Sequence, residues 1–388
     1  MTTICAYAKS LGLARDDNSH QTTHCSTYSH PKKIMKYPAL TINKTKLAQN
    51  IKIIQDLCKQ NNLSFCAVTK VFCANPKITQ IYYDAGIRDF ADSRIQNLKN
   101  VTFPDCTKWL LRLPMLCEVS EVIKHSDISL NSEIETIKAL SKTAQKQNKT
   151  HRIILMIDMG DLREGVMPKN AVDTALQIIK LPGIELYGIG VNYNCFGGVI
   201  PSQQSLDELI NIAQGIEKKC GINLKIISAG NSGAMHFLTT KTIPTRANHL
   251  RIGEVILIGI ETSYQQHING MHTDVLRFDA QIIELKKKPS MPIGETGLNA
   301  FGERTVFEDK GDMIRAIVAC GRQDVAMDAI TPLDQSIKII GQSSDHIILD
   351  LTNATTKYKI GDILGFSVSY GSILSLSTSK YVGVMISE

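Results

Sequence analysis

No apolar run in this chain approaches the roughly 18 residues that cross a bilayer, and the N-terminus lacks the apolar stretch of a secretory signal. The expectation is a soluble, cytoplasmic protein. No C-x-x-C pair occurs among the ten cysteines, several of which fall inside apolar periodic segments, so they read as reduced thiols and not as a disulfide framework. A strong excess of one charge is missing too. Lys and Arg number 43 against 37 Asp and Glu, net +6, and the basic residues are dispersed. That surplus suits anionic small molecules and is too weak to argue for nucleic acid. His20, His24 and Cys25 have a usable metal spacing but no second ligand pair, so no metal is expected.

What is present is a chain of 388 residues, 43% hydrophobic, long enough for a large core and two domains. Residues 1–36 are rich in Ser, Thr, His and Asn, show no helical or strand period, and are expected to be disordered. Met35, just before Tyr37-Pro38, is an alternative start. Tyr37 to Asn43 alternates as a strand, placed either with the segments that follow or against the C-terminal domain. Short apolar strands then recur near 65–69, 88–91, 109–113, 128–130, 153–157, 186–191, 224–228 and 250–252, most of them separated by amphipathic helices such as 132–147, 171–180 and 206–220. Eight strand–helix repeats predict a (β/α)8 barrel over 37–259, with an open doubly wound sheet as the alternative. From 260 to 388 strands separated by glycine and proline turns predict a second, all-β domain.

The chemistry gathers on Lys70. It leaves the apolar strand Ser64-Phe65-Cys66-Ala67-Val68 and turns at once toward Asn75-Pro76, in the partly desolvated surroundings that a Schiff-base or general-base lysine requires. In a barrel this is the C-terminal end of the first strand, the face that carries active sites. The loops after strands seven and eight are Ser228-Ala229-Gly230-Asn231-Ser232-Gly233 and Arg251-Ile252-Gly253-Glu254. Glycines there let backbone N–H groups approach an anion, and Ser232 adds a hydroxyl, so Asn231, Ser232, Gly253 and Glu254 form a phosphate cradle.

The Lys70 segment resembles the pyridoxal-phosphate lysine motif of the alanine racemase-like fold. Asp92-Ser93-Arg94-Ile95-Gln96-Asn97-Leu98, the run from Leu111 to Val119, Gly160-Asp161-Leu162-Arg163-Glu164-Gly165 and Ser343-Ser344-Asp345-His346 are similar to the ornithine racemase branch of that family. The resemblance covers about residues 36 to 386. It implies pyridoxal 5'-phosphate as cofactor, an amino acid as substrate, and a head-to-tail homodimer in which the β-domain of one subunit caps the partner's barrel. It also implies that Arg251 bonds the pyridine nitrogen. An arginine cannot lend a proton, since its pKa exceeds about 12, so the ring remains a weak electron sink and the carbanion is returned to Cα: racemisation, not decarboxylation.

By the same resemblance Arg163 contacts the phenolic oxygen of the cofactor and the substrate carboxylate. The modified lysine that often supports this arginine is replaced by Met156, leaving Asp158 or Glu164 to position it. Asn192 belongs to the cofactor wall, and Tyr370 donates to the phosphate. Two-base racemisation needs a second group opposite Lys70. The family supplies a partner tyrosine, and the comparable run Pro292-Ile293-Gly294-Glu295-Thr296-Gly297 has Glu295 in its place, as second base or as the acceptor of a basic side chain. Asp324 and Asp345 are further acceptors for a side-chain ammonium. Racemases of lysine, arginine, alanine or serine, and a non-catalytic cofactor-handling protein, are the competing expectations.

Overall fold

The computed structural model describes residues 37–388. The expected disorder of residues 1–36, the alternative start at Met35 and the His20/His24/Cys25 spacing lie outside these residues. Among the described residues sixteen strands are formed: β1 (Ala39–Asn43), β2 (Ser64–Val68), β3 (Asp89–Asp92), β4 (Thr107–Leu110), β5 (Ile128–Asn131), β6 (His151–Ile157), β7 (Ile184–Val191), β8 (Ile226–Ser228), β9 (His249–Ile252), β10 (Leu276–Pro289), β11 (Asp312–Val318), β12 (Ile330–Pro332), β13 (Lys338–Gln342), β14 (Ile347–Asp350), β15 (Ile363–Val368) and β16 (Gly383–Ser387). Strands β2 to β9 are parallel to their neighbours and close into a barrel, β9 pairing back onto β2 with Arg251 opposite Cys66.

Alternation decides which side chains fill that barrel. Cys66, Val68, Ala91, Trp109, Ile128, Leu130, Ile154 and Met156 form one cluster on the inward face. The intervening residues, among them Ala67, Phe90, Ile153, Leu155 and Ile157, pack outward beneath the surrounding helices. Helix starts are set locally: Asn43 caps Lys44–Gln60 through a bond from the Lys46 N–H, and Asn75 caps Pro76–Asp84, with proline at the position where a missing N–H costs nothing.

The remaining eight strands form a second sheet in the order β12-β15-β10-β11-β14-β13, with β1 between β10 and β16. Thus β1 precedes the barrel in sequence and belongs to the C-terminal sheet in space, antiparallel to β10 and parallel to β16. Thr41 Oγ1 donates to the buried Asp279 carboxylate across that seam, at 2.5 Å. The β-domain also holds a nine-residue helix, Tyr370–Thr378, that its Ser/Gly-rich sequence conceals. A capping box between Ser369 and Ser372 starts it, and the buried Ile373 and Leu376 fix the face it turns inward.

Leu40 is fully buried on β1. Leu40→Ala should therefore lower stability by about 2–5 kcal/mol, read as a reduced urea midpoint with native-like circular dichroism.

Candidate active site

The turn after β2 is built by hydrogen bonds, not by apolar packing alone. Thr69 donates its N–H to the Ala91 carbonyl at 2.7 Å and its hydroxyl to Asp92 Oδ2 at 2.7 Å. Asp92 is fully buried, and its other oxygen accepts the Arg94 N–H at 2.9 Å and Asn97 Nδ2 at 3.0 Å. Burial pushes its carboxyl above the ordinary value, while these bonds pull it back. One carboxylate thus ties the end of β3 to the residue preceding Lys70. The next three residues make a single tight turn, with Cys73 and Ala74 at φ 53° and 47°. The Lys70 amine is left at the barrel mouth with no hydrogen bond or ion pair among the described residues, its Nζ 6.0 Å from the Tyr370 ring centroid.

Lys70 opens into a cavity of about 610 Å3. The same cavity is lined by Arg163, Asn192, Asn231, Ser232, Arg251, Gly253, Glu254 and Tyr370, gathered from five further segments. Arg251 projects inward from β9 and is almost completely buried. Its Nη1 donates to Ser228 Oγ, and its Nη2 to the Val191 carbonyl and, at 2.6 Å, to Asn192 Oδ1. Burial lowers its pKa from the ordinary value. Beneath it, His249 Nδ1 lies 3.1 Å from Ser228 Oγ and the imidazole stacks on Trp109 with centroids 4.6 Å apart.

The Asp158–Gly165 loop explains how Arg163 is held. Asp158 Oδ1 accepts the N–H groups of Gly160 and Leu162, at 2.9 and 3.1 Å, so it is spent on the turn. Asp161 accepts the N–H groups of Cys195, Phe196 and Val199 and binds this loop to the one after β7. Glu164 is left, and it pairs with Arg163 through both Nε and Nη2, the latter at 2.6 Å. Glu164 Oε1 also accepts Asn192 Nδ2 at 2.5 Å. A continuous path therefore runs Arg163, Glu164, Asn192, Arg251, Ser228, His249. Gly165, at φ +141°, is required because a Cβ there would lie 2.4 Å from the Asp158 nitrogen.

At the opposite wall Asn231 accepts the Gly233 N–H at 3.2 Å and donates to the Tyr193 carbonyl at 2.8 Å, so its side chain shapes the turn. The Gly253 N–H points to Ser232 Oγ at 3.3 Å. A Cβ on Gly253 would come within 3.0 Å of Val68 Cβ. Burial raises the Glu254 carboxyl above its ordinary value, opposed by the Lys70 charge. No hydrogen bond is made by that carboxylate among the described residues.

Three expected residues lie elsewhere. Asp324 is buried in the β-domain, where its oxygens accept Ser379 Oγ at 2.5 Å and the Cys320 thiol at 3.7 Å. It does not line the cavity of its own chain. Asp345 sits in an exposed turn between β13 and β14, bonded by Ser344 Oγ. Glu295 lies on the exposed segment 291–311, away from the cavity of its own chain. Cavity residues that sequence reasoning passes over include Ser93, Arg112, Cys195 and Thr262.

A closed parallel barrel with an unpaired lysine at its mouth, a buried arginine facing it and a β-domain beyond defines the alanine racemase-like class of enzyme. The sequence profile described as "Alanine racemase, N-terminal domain" matches residues 42–260, and the chain belongs to the alanine racemase family. It is 44% identical to a protein named ornithine racemase from Acetoanaerobium sticklandii over 347 residues, 89% of this chain and 98% of that one. It is 35% identical to a lysine racemase of Thermotoga maritima over 350 residues, 90% of this chain and 98% of that one. The fold is similar to alanine racemase from Bartonella henselae, solved with covalently bound pyridoxal phosphate, at TM-score 0.69 and 19% identity over 90% of this chain and 99% of that one. The protein is an amino acid racemase. No helix among the described residues is long and apolar enough to cross a membrane.

His249 supplies a stability test. Burial drives its pKa from 6.5 down to about 3, and that of His151 to about 4. The unfolded chain therefore binds more protons than the folded one below about pH 6.5, and stability falls as pH drops from there toward the folded values. Each histidine contributes a slope of up to about 1.4 kcal/mol per pH unit. His249→Phe keeps an aromatic ring against Trp109 and should remove one proton's worth of that slope in urea unfolding measured between pH 7 and 4.5.

Proposed function

We propose that this racemase interconverts L- and D-ornithine, with pyridoxal 5'-phosphate carried on Lys70. The observation that carries the reading is the hydrogen-bond-free amine of Lys70 opening into the cavity that Arg251 enters from beneath. The donor set fits the cofactor. Lys70 is free to bond an aldehyde carbon, and Arg251 has used three of its five N–H hydrogens, keeping donors for a ring nitrogen. Ser232 Oγ, the backbone at Gly253 and Glu254, and the Tyr370 hydroxyl suit a phosphate, with Asn231 holding the turn and Asn192 the wall. When bound, the cofactor supplies the electron sink that acidifies the α-C–H of an attached amino acid.

The chain's own residues supply the rest. Lys70 Nζ takes or returns the α-proton on one face. Arg251 donates hydrogen bonds without giving up a proton, which keeps charge on Cα and favours its reprotonation. Arg163, with Nε and Nη2 paired to Glu164, retains Nη1 for the phenolic oxygen. Glu295 of a second copy is the base on the other face, in a head-to-tail dimer. Support for that placement is the exposure of apolar side chains on its own segment: Ile293 and Val306 are each 91% exposed, which a partner surface would relieve. The 44% identity to a protein named ornithine racemase supports the substrate, and the 35% identity to a lysine racemase keeps a wider range of basic amino acids as the second reading.

Incubation in D2O with a panel of L- and D-amino acids, followed by NMR and chiral separation, should show exchange with inversion confined to ornithine. Exchange spread across many amino acids would discard the specificity. Lys70→Ala should lower the rate by at least about 10²–10⁴. Glu295→Gln should abolish exchange starting from one enantiomer only; a change confined to KM for diamino acids would make it a recognition residue instead.

A further inference from the structure

We propose that Arg112 anchors the α-carboxylate of the amino acid substrate. The inference rests on the racemase site described above and adds a residue to it. Three guanidiniums line the cavity, and they differ in what they have left to give. Arg251 is buried beneath the floor and bonded to Ser228, Val191 and Asn192. Arg163 has turned its Nε/Nη2 edge onto Glu164, so its charge is matched and that edge is closed to a second carboxylate.

Arg112 follows β4 and has one acceptor: its Nη2 donates to Glu118 Oε2 at 3.1 Å. Glu118 is steadied in turn by Gln96 Nε2, which donates to Oε1 at 2.8 Å. No partner meets Arg112 Nη1 among the described residues, and its Nε is buried with no acceptor at all. A guanidinium carries five N–H donors, and leaving most of them unmatched at a partly dehydrated wall is costly unless a ligand supplies the oxygens. A carboxylate does so with two oxygens against the planar fork. Glu118 is therefore a positioning residue: it fixes the plane of Arg112 while leaving the Nη1 side open.

The test uses the cofactor-loaded protein and two readouts. Pentanoate, which has the carboxylate and chain of the substrate but no amine, is titrated calorimetrically; KM and kcat are measured by exchange with ornithine. Arg112→Met should weaken pentanoate binding roughly 10- to 100-fold and raise KM in step, with kcat changed much less and cofactor absorbance retained. Arg112→Lys should fall between, because it restores the charge without the fork. Glu118→Gln, which keeps the guanidinium and loosens it, should raise KM several-fold and decides the matter if Arg112→Met does not fold. Unchanged pentanoate affinity in the Arg112 variants, no pentanoate binding by the wild-type protein, or cofactor loss in parallel with the KM change would each overturn the assignment. If the wild-type protein exchanged no amino acid while pentanoate binding still depended on Arg112, the racemase reading would fail and the anchor would stand.

Discussion

A positive charge buried inside the barrel is the constraint around which the site is arranged. Removing a guanidinium from water is expensive unless its donors are matched, and Arg251 is matched by a hydroxyl, a backbone carbonyl and an amide oxygen, not by a carboxylate. A carboxylate there would neutralise the charge and draw the guanidinium into a closed pair. Neutral acceptors fix its position and leave its charge to act on whatever lies above. The partners come from β7, β8 and the residue after β7, so the closure of the barrel and the placement of Arg251 are one event.

The second guanidinium is handled in the opposite way. Arg163 lies on a loop, less buried, and is paired with a carboxylate one residue away. Met156 on β6 offers nothing polar to it, being completely buried in the inward cluster. The loop therefore carries its own counter-charge, and two further aspartates keep the backbone in the shape that makes the pair possible. Asn192 links the two systems because its amide has a donor for Glu164 and an acceptor for Arg251. An aliphatic residue at this place would break the path.

Much of this was legible in the chain because strand ends in a barrel converge. Lys70, Ser232 and Gly253 follow barrel strands and Arg251 lies within the last of them, and eight such strands admit few arrangements. The family resemblance of Asp92 to Leu98 has a physical basis in Asp92, whose two oxygens serve Thr69, Arg94 and Asn97. What the sequence hides is how lone pairs are spent. Asp324 and Asp345 read alike as acceptors, whereas the first is bonded by Ser379 and Cys320 and the second belongs to an exposed turn. The helix at Tyr370–Thr378 is hidden for a related reason: serines that favour turns become helix formers once Ser369 and Ser372 cap each other. Arg112 stands in a run similar to the family's, yet its place on the cavity wall and its buried, unmatched Nε are visible only in the folded chain.

The β-domain is more than an appendage, and its topology shows why. Because β1 lies between β10 and β16, the segment that leads into the barrel and the one that ends the chain are locked side by side. Lys77, on the helix that follows the Lys70 turn, donates to the Val384 carbonyl of β16 at 3.2 Å. The Tyr370 helix, held between β15 and β16, is thereby seated against the Lys70 turn, and its first residue becomes a wall of the cavity. Separating the sheet from the barrel would remove that wall as well as the strand that precedes the first barrel helix. The lysine and tyrosine are 300 residues apart in sequence and 6.0 Å apart in space because a parallel pair of short strands joins the two ends of the described chain.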